Sequence, residues 1–289
     1  MRVPEEVRKC VVYLGTLITN PDGQQAMHPK GTAFFVSLPS ERIQGTDYIY
    51  LVTAKHVAEQ LQGSEFAVRV NLTGGGASFI RSGAGAQWRF HPTDPSVDAA
   101  VLPWAPPEEV EHLRVPTRMF LTDEIIHSKN IGTGDEVFIT GLFVHLAGAA
   151  RNIPIVRMGN IAMMPPEPVP TSVGLIDAYL IEARSIGGLS GSPAFVRETV
   201  GFGLGEFYLL GLMHGHWDIP LRARDDQPTQ DREEAYGKVN LGIAIVVPAK
   251  KVLEVLNHPQ LVERRDMEDE ELRKKTMPTL DEGVKPGSA

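Results

Sequence analysis

The sequence predicts an all-β protein built from antiparallel barrels or sandwiches, with a single helix closing the last strand. Two observations lead there. Short runs rich in Val, Ile, Phe and Tyr recur from end to end, separated by stretches of Gly, Pro, Asn and Asp that punctuate strands. Only Ala249 to Leu256 carries a convincing helical pattern, and it follows the last of these runs.

The elements follow in order. Val7 to Thr16 reads as the first strand, with Cys10 inside it as a core residue rather than a reactive thiol. Gly31-Thr32-Ala33-Phe34-Phe35-Val36 is the second strand, and Tyr48-Ile49-Tyr50-Leu51-Val52-Thr53, after the Pro39–Asp47 loop, the third. The third runs straight into a short helical turn at Ala54-Lys55-His56-Val57-Ala58. Phe66 to Leu72 alternates, and Thr73-Gly74-Gly75-Gly76 turns it back as a hairpin. That glycine triplet lacks the Gly-Lys-Ser/Thr ending of a phosphate loop. Trp88 to Pro92 precedes the short buried strand Asp98-Ala99-Ala100-Val101-Leu102, and Pro103 to Pro116 reads as a linker.

In the second half, Glu136 to Gly141 is a strand. Ile153 to Ile161 reads as two strands turning near Gly159, and Leu175 to Ala183 as one more after the Pro165–Pro170 loop. Tyr208 to Met213 and Leu241 to Val247 complete the set, with the polar stretch Trp217 to Asn240 between them as a surface loop. After Pro259 the chain is charge-dense, helical over Gln260 to Lys275 and then disordered. The domain expectation is an N-terminal barrel over 8–105, a linker over 106–125, a second barrel with its helix over 126–257, and a charged tail over 258–289.

Composition narrows the function. With 289 residues there is ample chain for a core, and a net charge of −8 argues against nucleic acid or anionic membranes as partners. No apolar run reaches the length of a membrane span. Met1-Arg2-Val3-Pro4-Glu5-Glu6 carries acids where a secretory signal needs a basic and then an apolar stretch. The single cysteine cannot form an internal disulfide, and a cytoplasmic location is the simplest account.

The chemistry centres on Gly187-Gly188-Leu189-Ser190-Gly191-Ser192-Pro193-Ala194-Phe195. Glycines on both sides of one serine bring bare backbone to its hydroxyl and can aim two N–H groups at one point, as an oxyanion hole requires. Serine becomes a nucleophile when a histidine, itself held by a carboxylate, takes its proton. His56 stands just after a strand, Asp98 at the head of a strand, and Ser190 between glycines. The order His, Asp, Ser differs from that of α/β-hydrolases and subtilisins, and Ser192 occupies the place where a hydrolase elbow needs glycine. Asp94 competes with Asp98 for the acid. Asp98 is preferred because the apolar run directly after it buries its carboxylate beside the imidazole.

These stretches resemble the trypsin-like (chymotrypsin-fold) serine peptidases. Leu51-Val52-Thr53-Ala54-Lys55-His56-Val57 is similar to their histidine motif, Asp98-Ala99-Ala100-Val101-Leu102 to their aspartate motif, and Gly188-Leu189-Ser190-Gly191-Ser192-Pro193 to their serine motif. Gly31 to Val36, Gly211-Leu212 and the final strand and helix agree, so the resemblance covers roughly residues 8 to 257. It implies two antiparallel six-stranded β-barrels with a cleft between them. His56 and Asp98 would lie on the first, Ser190 on the second, and the N–H groups of Gly188 and Ser190 would form the oxyanion hole. The implied activity is a serine endopeptidase acting on protein or peptide, without cofactor. Within the family the serine motif looks most like bacterial glutamyl-endopeptidase-type members.

Three departures stand out. Members activated from zymogens carry an acid just before the serine, whereas this chain has Leu189. The pocket histidine of glutamate-specific members falls one residue late here, at His214, and Lys55 replaces an alanine. By resemblance the substrate-binding residues are Arg184, Ile186, Met213, His214 and Gly215. Arg184 occupies the place that holds an acid in members cutting after Lys or Arg. His214 and His216 point to one side of a strand, but no third ligand lies at a typical spacing, so no metal site is expected. The competing reading is a catalytically silent trypsin-like fold kept as a protein-binding module. A regulatory protein partner fits a cytoplasmic protease, because unrestrained proteolysis is harmful.

Overall fold

The structure is a computed structural model and describes residues 3–23, 25–83, 85–171, 174–184, 187–198, 205–220 and 238–276. The first half begins with a 3-10 turn over Glu5–Cys10 and continues as β1 (Val11–Thr19), β2 (Gln25–Pro39) and β3 (Asp47–Thr53). The short helix α1 (Lys55–Glu59) leads to β4 (Phe66–Leu72), β5 (Ala77–Ser82), β6 (Ala100–Pro103), β7 (Val110–Glu111) and β8 (Val115–Pro116). The second half opens with α2 (Asp123–Lys129) and contains β9 (Glu136–Gly141), β10 (Ile155–Met163), β11 (Val169–Thr171), β12 (Gly174–Ile176) and β13 (Tyr179–Glu182). It ends with β14 (Pro193–Arg197), β15 (Phe207–Pro220), β16 (Lys238–Pro248), α3 (Ala249–Leu256) and α4 (Pro259–Thr276).

The second half closes into a six-strand antiparallel barrel in the order β10-β13-β16-β15-β14-β9. The first half departs from the expected closed barrel. Its strands form an eight-stranded sheet along the path β5-β4-β1-β2-β3-β6, with β7 added to β4 and β8 running parallel to β2. Among the described residues β5 and β6 do not pair with each other, so this sheet curls around its core without a closing ladder.

That core contains Leu14, Phe34, Leu51, Val68 and Trp88 and extends across the junction to Phe138, Phe195 and Leu212 of the barrel and Val252 and Leu256 of α3. A second core of Ile139, Ile181, Leu210, Met213 and Val246 fills the barrel. The helix α3 therefore belongs to the junction, where its apolar face covers both halves. Cys10 is buried, donates to the Val7 carbonyl at 3.0 Å, and has its thiol pushed up to about 12 by burial, as befits a core residue.

Several local expectations change. Ile155–Met163 is one strand, because Gly159 pairs with Val137 and lies where a Cβ would come within 2.0 Å of the Glu182 carbonyl oxygen; close approach, not a turn, demands glycine there. The stretch after Leu175 breaks into β12 and β13. Part of the expected loop at Trp217–Asn240 is strand, since Asp218 pairs with Asn240 and Pro220 with Lys238; the ladder satisfies the backbone whatever the side chains. Residues 221–237 lie outside the described residues. The helix α2 was not anticipated, although its cap is legible: Thr122 accepts the Ile125 N–H, acids occupy the first turn, and Asn130 ends it in the left-handed region.

The charged tail is also a docked element as far as Thr276. Leu261 and Asp269 are buried, and the Asp269 carboxylate accepts from Ser40 Oγ at 3.0 Å and from the Tyr48 hydroxyl. Arg265 donates to the Tyr50 hydroxyl at 2.9 Å and to the Leu256 carbonyl at 2.8 Å. Removing the Asp269 carboxylate leaves Ser40 Oγ without this acceptor, while the Tyr48 hydroxyl keeps the Arg265 carbonyl at 3.0 Å, and costs about 1–3 kcal/mol. Asp269→Ala should therefore lower Tm by several degrees, whereas deletion of residues 277–289, which lie outside the described residues, should leave it within a few degrees. Calorimetry on the full-length and truncated chains checks both; an unchanged Tm for Asp269→Ala would show that the helix contributes nothing.

Candidate active site

His56 sits on α1, directly after β3 ends in the buried residues Val52, Thr53 and Ala54. Asp98 precedes β6 and is 5% exposed. Because β3 pairs with β6 through Thr53 and Ala100, the two residues come together at the same end of the sheet. Asp98 Oδ1 accepts the His56 backbone N–H at 2.9 Å, and Oδ2 lies 2.8 Å from His56 Nδ1. A carboxylate at that nitrogen keeps the proton on Nδ1 and leaves the Nε2 lone pair as a base. Asp94 is occupied otherwise: its Oδ1 accepts from Ser96 N–H at 2.9 Å and Ser96 Oγ at 2.6 Å, closing a turn. Lys55 points away, donating to the Pro95 carbonyl at 2.8 Å.

Sequence reasoning did not find the third group at Asp98. His214 Nδ1 lies 2.6 Å from the same Oδ2, and its ring meets the His56 ring edge-on at 5.6 Å. The ladder between β15 and β16 slips between Met213 and Gly215, so His214 is the extra residue of a bulge and its side chain is re-aimed towards the first half. Burial works against the Asp98 charge, but hydrogen bonds from His214 and His56 more than offset it and hold the carboxyl at about 2.

Ser190 lies on the turn between β13 and β14. The next residue, Gly191, has φ of +81°, and a Cβ there would meet the Thr32 carbonyl oxygen and Thr53 Oγ1 at 2.2 Å each, so only glycine fits. The turn is tied on both sides: Gly191 N–H donates to Met213 O at 2.8 Å, Ser192 N–H to Leu189 O at 2.9 Å, and Thr32 N–H to Ser190 O at 3.0 Å. Gly31 lets the two halves close up; a Cβ on it would sit 2.9 Å from the Val57 methyls and 3.0 Å from Ser190 O. Ser190 Oγ donates to the His214 carbonyl at 3.3 Å. His214 thus touches Asp98 through its ring and Ser190 through its backbone. Among the described residues, the N–H groups of Gly188 and Ser190 have no hydrogen-bond partner.

The substrate-binding expectations fare unevenly. Arg184 is exposed just beyond β13, and Ile186 lies outside the described residues. Met213 is wholly buried in the barrel core, and both its backbone groups serve the serine turn, so it offers no surface to a substrate. His214 is turned to Asp98 rather than into a specificity pocket. Gly215 and His216 are half-buried, and His216 Nε2 lies 3.2 Å from Asp218 Oδ1. The metal expectation also rested on spacing alone. Ligand atoms of His56, Asp98 and His214 lie within 4.8 Å of one another, a donor set that zinc accepts. In this structure both Nδ1 atoms lie within hydrogen-bonding distance of Oδ2.

A closed six-strand barrel beside a second antiparallel sheet, with a C-terminal helix, is the chymotrypsin-like protease fold, and solved structures of protease domains share it. The chain is similar to the apo protease domain of MamO from Magnetospirillum magneticum, with 19% identity and a TM-score of 0.51, covering 86% of this chain and 96% of that one. It also aligns with the active form of the Rv3671c protease from M. tuberculosis at 20% identity and a TM-score of 0.45, covering 87% and 81%. No family profile matches the sequence, and no curated protein does.

Proposed function

We propose that this protein is a serine endopeptidase that cleaves peptide bonds through an acyl-enzyme, with Ser190 as nucleophile, His56 as general base and Asp98 as the carboxylate that orients it. The observation that carries the reading is the buried Asp98 carboxylate at His56 Nδ1, an arrangement that leaves Nε2 free to take a proton. Rotation of the Ser190 hydroxyl from the His214 carbonyl towards His56 primes attack on the scissile carbonyl. The N–H groups of Gly188 and Ser190 then receive the developing oxyanion, and His56 returns the proton to the leaving amine. The fold also serves the second reading, a silent binding module, which the Ser190 Oγ bond to the His214 carbonyl favours. A fluorophosphonate probe separates them: labelling of Ser190 that disappears in His56→Ala supports the peptidase, and no labelling of the folded wild-type chain supports the module.

The reading includes a specificity. Arg184 is exposed, and by resemblance it occupies the place that holds an acid in members cutting after Lys or Arg, so a cationic side chain entering there would meet like charge. The serine motif keeps its glutamyl-endopeptidase style, yet His214 is committed to Asp98 and His216 lies against Asp218, which leaves Arg184 to meet an acidic side chain. Cleavage after Lys or Arg should be absent from a proteome-derived peptide library, and a dominant Lys/Arg signal would refute the assignment. A cytoplasmic setting, with a regulatory protein restraining the activity, completes the proposal.

A further inference from the structure

Leu189 precedes the serine and is fully buried, so no carboxylate is there to draw the oxyanion loop into shape. Another set of contacts does hold that loop. Thr32, fully buried on β2, donates through Oγ1 to the Gly188 carbonyl at 2.9 Å and accepts the Leu142 N–H at 2.8 Å. Gly188 has φ of +96°, and a Cβ on it would sit 2.8 Å from Val144 Cγ1 and 3.2 Å from Leu142 Cγ. Residues 142–154, which link β9 to β10 without regular structure, therefore wall in the oxyanion glycine.

This wall belongs to the second half but is pinned to the first. Arg69 on β4 is 8% exposed, and its guanidinium donates to Ala147 O at 3.3 Å, Gly148 O at 2.8 Å, Ala149 O at 2.8 Å and Asn152 Oδ1 at 2.9 Å. Asn152 answers by donating from Nδ2 to Arg69 O at 2.7 Å and from its N–H to Asn71 Oδ1 at 2.7 Å. All four acceptors of the guanidinium are neutral oxygens. A buried cation is costly unless fully hydrogen-bonded, and three of these oxygens are carbonyls that converge only in this one loop conformation. The charge thus selects the shape of the loop.

We infer that Arg69 and Thr32 are positioning residues that hold the oxyanion loop in its working form, so that the peptidase is assembled without a newly cleaved N-terminus. This rests on the function proposed above. The test compares full-length wild type with Arg69→Met, Arg69→Lys and Thr32→Val by three measurements: Tm, the rate of fluorophosphonate labelling of Ser190, and amide exchange. Loss of one oxyanion-hole donor costs about 10²–10³ in rate. A labelling loss of about a hundredfold is expected in Arg69→Met and Thr32→Val, with a smaller loss in Arg69→Lys. Exchange at the Leu142, Gly191 and Ser192 amides, all hydrogen-bonded here, should quicken at least tenfold while the strands of the first sheet stay protected. Should Arg69→Met not fold, the lysine and valine variants carry the comparison. Wild-type labelling rates and exchange in the variants would overturn the inference. A wild type that never labels, but whose variants still show local exchange, would overturn the function and leave the latch standing.

Discussion

Ser190→Ala should abolish the proposed peptide hydrolysis while leaving the fold intact, with a fall in kcat expected on the order of a million-fold. The magnitude follows from the chemistry, since without the hydroxyl no acyl-enzyme forms and only binding and oxyanion stabilisation remain. His56→Ala should cost nearly as much, and the double variant little more, because the two residues act as one unit. The serine side chain is half-exposed on a turn held by backbone hydrogen bonds, so its removal should barely move Tm. Steady-state kinetics on the purified variants against a peptide cleaved by wild type makes the comparison. Full activity in Ser190→Ala would place the chemistry elsewhere.

Asp98→Asn has the next largest expected effect after the serine and histidine variants, and it reads out twice. An amide at Oδ2 can present N–H to His56 Nδ1, which favours the wrong tautomer; in a comparable triad this change lowers kcat about 10⁴-fold. The same substitution alters the acid limb of stability. Asp98 is held at about 2 in the folded state, below its ordinary value of 3.8. A carboxyl depressed on folding stabilises the native state above its unfolded pKa, and that contribution disappears as pH falls from there through the folded value. Between pH of about 4 and 2 the wild type should thus lose on the order of 2 kcal/mol that Asp98→Asn no longer has to lose. Urea denaturation at stepped pH gives the difference between the two slopes. Parallel slopes would mean that the imidazoles of His56 and His214 do not stabilise the carboxylate.

The sequence by itself determined the strand inventory and the candidates His56, Asp98 and Ser190, because each is marked locally. A histidine follows a β-rich run, an aspartate opens a buried one, and a serine sits among glycines. The chain order of the three further narrowed the chemistry. The docked part of the tail and α2 were partly legible, the first as a helical stretch without its buried Asp269, the second only through its cap. What tertiary structure alone decided depends on register and on partners distant in the chain. Whether the first sheet closes is a matter of whether β5 meets β6, which no local pattern encodes. His214 reads as a pocket residue until a bulge in β15 turns its ring towards Asp98, 116 positions away, because one extra residue in a ladder re-aims a side chain. Nothing in the alternating run Phe66 to Leu72 singles out Arg69, and only the fold of residues 142–154 supplies the carbonyls that let it be buried. Local chemistry names the candidate groups; long-range pairing decides which neighbours hold them.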